Sequence, residues 1–235
     1  MIDLLVISPH PDDGEIGCGG LLLLSKKKGY KTGILYLTIG EMGTGGDDKI
    51  RLEELTEASK HLELDYMEVS DFKDCQIFDS YENRLKIAKY IRQLKPKIVI
   101  IPYWEGVPGR GIGHTDHLST GIICSHAVNY ARLHKMPLDE DPHRVKQVLY
   151  YLYPRHMSPT FVVDITEVAP QWIKALKSHH SQMFGSHAQK TGFYDMIISM
   201  AKQTGYMIGA KYGQGFIAAE PLKIQDPFLF VEPRD

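Results

Sequence analysis

Two short stretches hold most of the side chains able to do chemistry. The first is SPHPDDGEIGCGG, residues 8–20, where His10, Asp12 and Asp13 follow an apolar run and Gly14, Gly17, Gly19 and Gly20 come close behind. A plain turn needs glycine or proline, not an imidazole beside two adjacent carboxylates. Adjacent like charges repel, so a positive group or a reaction is expected there to hold them. His10 and Asp13 are nitrogen and oxygen donors suited to Zn²⁺ or a similar divalent ion, with Pro11 stiffening the turn between them. With Asp13 on the ion, Asp12 stays free to act as a base toward water. The second stretch is His114-Thr115-Asp116-His117. Thr115 reads as a helix N-cap, which puts two imidazoles three residues apart, pointing roughly the same way at the mouth of a helix. One of them completes a metal site of two histidines and one aspartate while the other faces the open coordination position. Spacing alone does not say which. Asp116 suits the second histidine's tautomer or its charged form.

Blander readings compete. Asp12 or Asp13 can simply cap the following helix. The glycines after a strand suggest a dinucleotide-binding turn, but their spacing is not G-x-G-x-x-G, and carboxylates do not belong where pyrophosphate would sit. A single histidine among the 11 in the chain is most often a surface residue. Two clusters of this composition at equivalent points of a fold outweigh those readings.

The elements that must position these clusters alternate along the chain. Apolar runs at Ile2–Ile7, Lys31–Leu37, Ile98–Ile101, Gln147–Leu152 and Phe161–Ile165 read as strands. Helical patterns cover Gly20–Lys28, Ile50–Leu62, Glu82–Leu94, Thr115–Leu133, Glu167–Met183 and Gly192–Met207. Such alternation predicts an α/β fold with a mostly parallel sheet covered by helices on both faces. Both clusters then lie just past the carboxyl ends of strands, where open α/β sheets bind ligands. The Gly- and Pro-rich loop EGVPGRGIG, residues 105–113, lies between a strand and a helix and is placed like a rim.

At 235 residues, with no repeat, linker or low-complexity tract, one domain over residues 1–235 is expected. The formal net charge of −2 gives no electrostatic reason for nucleic acid or an anionic membrane as partner. No apolar run approaches the ~20 residues that a membrane helix needs. The early strand-like run containing Asp3, with no basic segment before it, predicts no secretory leader. Cys18, Cys75 and Cys124 are odd in number and far apart, so they read as reduced thiols, and the cytoplasm is the expected compartment.

These motifs make the chain resemble the LmbE-like, or PIG-L, family of zinc-dependent N-acetylglucosamine deacetylases, and within it the N-acetyl-glucosaminyl malate deacetylases of bacillithiol biosynthesis. H-P-D-D followed by E-x-G-x-G-G matches His10 to Gly20, and H-x-D-H matches His114 to His117. Gly40-Glu41, Arg51 to Glu54, F-V-V-D-I at Phe161 to Ile165, and H-x-S-Q at His179 to Gln182 fall in the expected order. The resemblance implies a Rossmann-like sheet, one Zn²⁺ (or another divalent transition metal) held by His10, Asp13 and His117, and Asp12 as general base. It makes His114 the group that stabilises the tetrahedral intermediate or protonates the departing amine, with Asp116 as partner of His114. It places Arg51 on the aglycone side of an N-acetylated amino-sugar substrate and implies a homo-oligomer. Relatives often carry arginine directly before H-x-D-H; here Gly113 stands there and Arg110, three residues further back, is the candidate for a carboxylate of the aglycone. The residues leave malate, inositol, a second glucosamine or a lipid open as that aglycone.

Other residues are read as structural. Cys18 and Cys124 look like small core residues, Glu41 and Arg51 like an ordinary ion pair, and Met196, Met200 and Met207 like the packing face of a helix. Tyr103 and Trp104 end a buried strand, where they either pack the core or line a sugar pocket. Without the H-x-S-Q resemblance, His179 would be a surface residue. The rival functions are a metal-dependent phosphoesterase or amidase on the same ligands, and a sugar- or nucleotide-binding module with a structural cation. Dinuclear phosphoesterases need more ligands than two clusters supply, and a closed four-ligand site would favour the binding module.

Overall fold

A computed structural model describes residues 1–106 and 114–226 of the chain. Five parallel strands form the body of the sheet: β1 (Leu4–Ser8), β2 (Thr32–Tyr36), β3 (Tyr66–Val69), β4 (Ile98–Pro102) and β5 (Gln147–Tyr151). β6 (Phe161–Asp164) and β7 (Gly213–Ala218) extend it, with β7 antiparallel to both β5 and β6. The order β3-β2-β1-β4-β5-β7-β6 puts the chain's reversal between β1 and β4. A crevice opens at such a switch point, outside the carboxyl ends of the two strands. Every residue of β1 is buried, and its alternation divides the core between two faces.

On one face Leu4 and Val6 pack with α1 (Asp13–Lys27), α2 (Asp48–His61), α5 (Ala169–Ser178) and α8 (Phe193–Tyr206) through Leu22, Leu55, Trp172 and Ile197. On the other, Leu5 and Ile7 pack with α3 (Tyr81–Leu94) and α4 (Thr115–Arg132) through Ile87, Ile91, Ile123 and Cys124. Two short helices, α6 (His180–Met183) and α7 (Ser186–Thr191), link α5 to α8. Local signals start the helices: Asp47 accepts the Ile50 N–H at 2.9 Å and Ser80 the Asn83 N–H at 3.1 Å. Among the described residues no helix is long and apolar enough to cross a membrane.

The mostly parallel sheet with helices on both faces matches the expected class, with differences of detail. β3 and β7 went unread because YMEV and GQGFIA are short and lack a strong apolar alternation. The single helix expected over Glu167–Met183 breaks at His179, which turns inward. The first helix begins at Asp13 rather than Gly20, so its glycines are helical. They serve close approach instead of a turn. A Cβ built on Gly20 would lie 2.6 Å from Ile165 Cγ2 and 2.7 Å from Ile165 Cβ, so only glycine lets α1 lie this near the segment after β6. Gly20→Val is therefore expected to cost about 1–3 kcal/mol of stability through overpacking. Urea denaturation measures it, and an unchanged midpoint rejects the close-packing account.

Candidate metal-binding and catalytic centre

His10, Asp12 and Asp13 occupy the turn from β1 into α1, and His114, Asp116 and His117 the entry to α4 after β4. Since β1 and β4 are neighbours, segments 106 positions apart meet over the switch point. Asp13 Oδ2 lies 3.0 Å from His10 Nδ1 and 3.1 Å from His117 Nε2. One nitrogen each from His10, His114 and His117 falls within 4.8 Å of the others. The His114 ring stands edge-on to His10, with centroids 4.8 Å apart.

Electrostatics follow from burial among charges of both signs. Burial opposes ionisation of Asp13, but His117 and His10 outweigh it and hold its carboxyl far below the usual range. Burial would likewise keep His10 neutral; Asp116, Asp13 and Asp74 reverse that and raise its pKa to about 12. Asp12 is pushed up by burial and by the neighbouring Asp13 charge. His114 is lowered by burial and by the two other imidazoles, which favours its neutral form.

This arrangement fits a divalent cation. Tetrahedral zinc with ligand bonds of about 2.0–2.2 Å separates its ligand atoms by roughly 3.3 Å, close to the spacings around Asp13 Oδ2. Nitrogens of His10, His114 and His117 are close enough to share one ion, as are donor atoms of His10, Asp74 and Asp116. The ring of His10 is held from behind, since its Nε2 lies 3.2 Å from both Asp116 Oδ2 and Asp74 Oδ1. Carboxylates behind a ligating imidazole set its tautomer and orientation.

Two expected residues have different partners from those the sequence suggested. The Asp116 carboxylate engages His10 and accepts the Cys75 N–H at 2.7 Å, and it is the Asp116 backbone N–H that meets His114, donating to Nδ1 at 3.2 Å. His114 is thus the N-cap of α4, and Thr115 is the first helical residue. The reason is topological: the turn at Asp74 and Cys75 supplies an N–H at the spot where Asp116 faces His10. Arg51 is 4 % exposed and donates to Gly40 O at 2.6 Å and Pro11 O at 3.1 Å. Among the described residues no ion pair joins it to Glu41, which accepts the Asp74 N–H at 3.0 Å. Gly40 has φ of 73°, and a Cβ there would fall 1.9 Å from Arg51 Nη1, so the glycine is what admits the guanidinium. Arg110 lies outside the described residues.

Several site residues escaped the sequence reading. Asp74 follows β3, an element that was itself unread. Glu15, fully buried, accepts the Asp12 N–H at Oε2 (3.2 Å) and the Tyr36 hydroxyl at Oε1 (2.6 Å). His179 is 1 % exposed, contrary to a surface reading, and its Nε2 lies 3.0 Å from Glu15 Oε1. Burial lowers the His179 pKa, but Glu15 outweighs it and the net shift is upward. The H-x-S-Q pattern was the available signal. Cys18 and Cys124 are buried as expected, while Met200 and Met207 are exposed along an open groove of about 670 Å³ that contains none of the site's acids or histidines. Trp104 is also exposed, stacked on Tyr103 at the end of β4.

Fold and site together define a doubly wound α/β protein with an imidazole–carboxylate cluster at its switch point that could hold a metal ion. Residues 5–128 match the family model described as GlcNAc-PI de-N-acetylase (PIG-L), and the chain belongs to that family. The diacetylchitobiose deacetylase of Thermococcus kodakarensis is 30 % identical over 225 residues, covering 90 % of this chain and 81 % of that protein. A Bacillus subtilis protein named probable N-acetyl-alpha-D-glucosaminyl L-malate deacetylase 2 is 29 % identical, over 77 % of this chain and 84 % of its own. The crystal structure of a conserved protein from Thermus thermophilus superposes with a TM-score of 0.86 at 36 % identity, covering 95 % of this chain and 97 % of that one.

The commitment of Arg51 to two backbone carbonyls makes a stability prediction. Arg51→Met should cost about 2–3 kcal/mol, the scale of charged hydrogen bonds lost with their buried acceptors left unpaired. Chemical denaturation checks it; a variant as stable as the parent would show that the guanidinium does not brace the two loops.

Proposed function

We propose that this protein is a metal-dependent hydrolase that removes the N-acetyl group from an N-acetylglucosamine-containing glycoside. The observation that carries the reading is that His10 Nδ1 and His117 Nε2 both lie within 3.1 Å of Asp13 Oδ2, while nitrogens of His10, His114 and His117 group within 4.8 Å of one another. Membership in a family of de-N-acetylases and relatives named for deacetylation of glucosamine-containing compounds support it.

In this reading His10, Asp13 and His117 hold one divalent metal, with zinc the choice that the donor set favours. When bound, zinc supplies Lewis acidity, bringing the pKa of a water ligand from ~15.7 toward ~7 and polarising a carbonyl oxygen. Asp12 takes the proton from the attacking water; a carboxyl pushed upward by burial is a better acceptor than an ordinary one. His114 meets the developing oxyanion. Its Nδ1 accepts the Asp116 N–H, so the neutral ring carries its proton on Nε2 and donates from there. As the tetrahedral species collapses, the proton held by Asp12 passes to the amine nitrogen, releasing acetate and a free amino sugar. Asp116 and Asp74 keep the His10 ring in the tautomer that leaves Nδ1 free to ligate. Arg51 serves the substrate side by fixing the Pro11 and Gly40 carbonyls.

The test is acetate release from N-acetylglucosaminyl malate, diacetylchitobiose and an inositol-linked N-acetylglucosamine by protein of measured metal content. At least one substrate should turn over, and a chelator should stop it. Asp12→Asn should keep its metal and lose activity; His117→Ala should lose metal. His114→Ala should keep metal with kcat lowered about 10²–10³-fold, the scale of one oxyanion donor. No acetate from any substrate, or full activity after chelation, rejects the reading.

A further inference from the structure

The mechanism leaves a buried acid, imidazole and phenol without a chemical task, although Glu15 also closes a capping box with Asp12 at the start of α1. Glu15 and Tyr36 are fully buried and His179 is 1 % exposed, yet none of them reaches the proposed ligand set. A carboxylate inside a core is costly unless its acceptor sites are filled. Here they are: Oε1 takes the Tyr36 hydroxyl at 2.6 Å and faces His179 Nε2 at 3.0 Å, and Oε2 takes the Asp12 N–H at 3.2 Å. Trp172 Nε1 donates to the Glu15 carbonyl at 2.8 Å, which anchors the residue from its backbone as well.

The object of this apparatus is one peptide group. The N–H of Asp12 and the carbonyl of Pro11 belong to the same peptide unit, and Arg51 Nη2 donates to that carbonyl at 3.1 Å. An anionic side chain on the N–H and a cationic one on the C=O lie along the peptide dipole in its favourable sense. Both charged groups are buried, so solvent screens neither of them. The peptide is also the one that needs holding. Asp12 has φ of 104°, outside the basins that L-residues favour, and such a conformation persists only where its surroundings over-determine it. The Asp12 carbonyl in turn accepts the Ile16 N–H at 2.8 Å.

We propose that Glu15 and His179, acting with Arg51, are positioning residues that clamp the Pro11–Asp12 peptide and so aim the Asp12 carboxylate at the reacting water. This rests on the reading of Asp12 as the general base. Tyr36 and His179 hold the Glu15 carboxylate in place; Glu15 and Arg51 hold the peptide; the peptide sets the root of the Asp12 side chain. All three side chains are buried, so they act through Asp12.

Core packing alone makes the opposite forecast. Removing one member of a buried polar pair lowers stability, but a purely packing role lets leucine variants that still fold and bind metal keep their turnover. The test compares Glu15→Leu and His179→Leu with Glu15→Gln and His179→Gln, in metal-loaded protein, by kcat, KM, metal content and thermal midpoint. Glutamine in place of Glu15 keeps an acceptor for the Asp12 N–H, and glutamine in place of His179 keeps a donor where Nε2 stood. The leucine variants should retain metal and keep KM within about twofold while kcat falls about 100-fold, the penalty for misplacing a reacting group. The glutamine variants should recover to within about tenfold of the parent, on the same argument of restored placement. Should Glu15→Leu fail to fold, the His179 pair decides alone. Leucine variants that retain kcat, or whose loss of kcat only follows loss of metal, overturn the clamp. Asp12→Asn separates the two ideas: full turnover there removes the base itself, whereas an inactive Asp12→Asn beside active leucine variants removes only the clamp.

Discussion

A single carboxylate oxygen joins the two halves of this molecule. Asp13 Oδ2 sits between His10 Nδ1 and His117 Nε2, one from the turn after β1 and the other from the helix after β4. Around it the fold buries further acids, Asp12 and Asp116, with Asp74 close by. Burying that much like charge is unfavourable unless opposite charge or a cation answers it. In the protein alone, His10 is held strongly protonated and Asp13 strongly ionised. The centre is therefore under electrostatic demand for positive charge, and the surrounding structure can be understood as what keeps these groups together in spite of it.

The scaffold meets that demand with rigidity. β1 lies between β2 and β4, with apolar side chains filling both of its faces, so the turn at its end has little freedom. Glycines bring α1 hard against its neighbours, Gly20 against Ile165 and Gly17 against Tyr151. Arg51 ties the turn to the loop beginning at Gly40, and Ser181 and Gln182 tie the region of α2 and that loop to the far end of α5 through Glu54 and Gly45. The weak motifs G-E, R-x-x-E and H-x-S-Q become one set of braces around the strong one. Their residues had looked independent because their partners lie about 130 to 160 positions away in the chain.

The parts legible beforehand were those whose signal is local. Four-residue runs such as Leu4–Ile7 and Ile98–Ile101 announce buried parallel strands, and H-P-D-D and H-x-D-H announce donor atoms. Asp74 carries no such mark: it is one of several acids in a loop, after a strand whose sequence YMEV gives little periodic signal. His179 beside His180 likewise reads as exposed until the break in the helix turns it toward Glu15. The resemblance places Arg51 on the aglycone side and its charge suggests an ion pair with Glu41, whereas in the fold two of its donors go to backbone carbonyls.

Residue types and their order were enough to determine the class of fold, the two donor clusters and their place at the carboxyl ends of strands, because periodicity and donor chemistry are properties of neighbours in the chain. Which carboxylate faces which imidazole, and that Asp116 turns to His10 while its backbone caps toward His114, only the tertiary structure decided. Such pairings depend on distances between segments more than a hundred residues apart, set by the order of strands in the sheet, and nothing local encodes them.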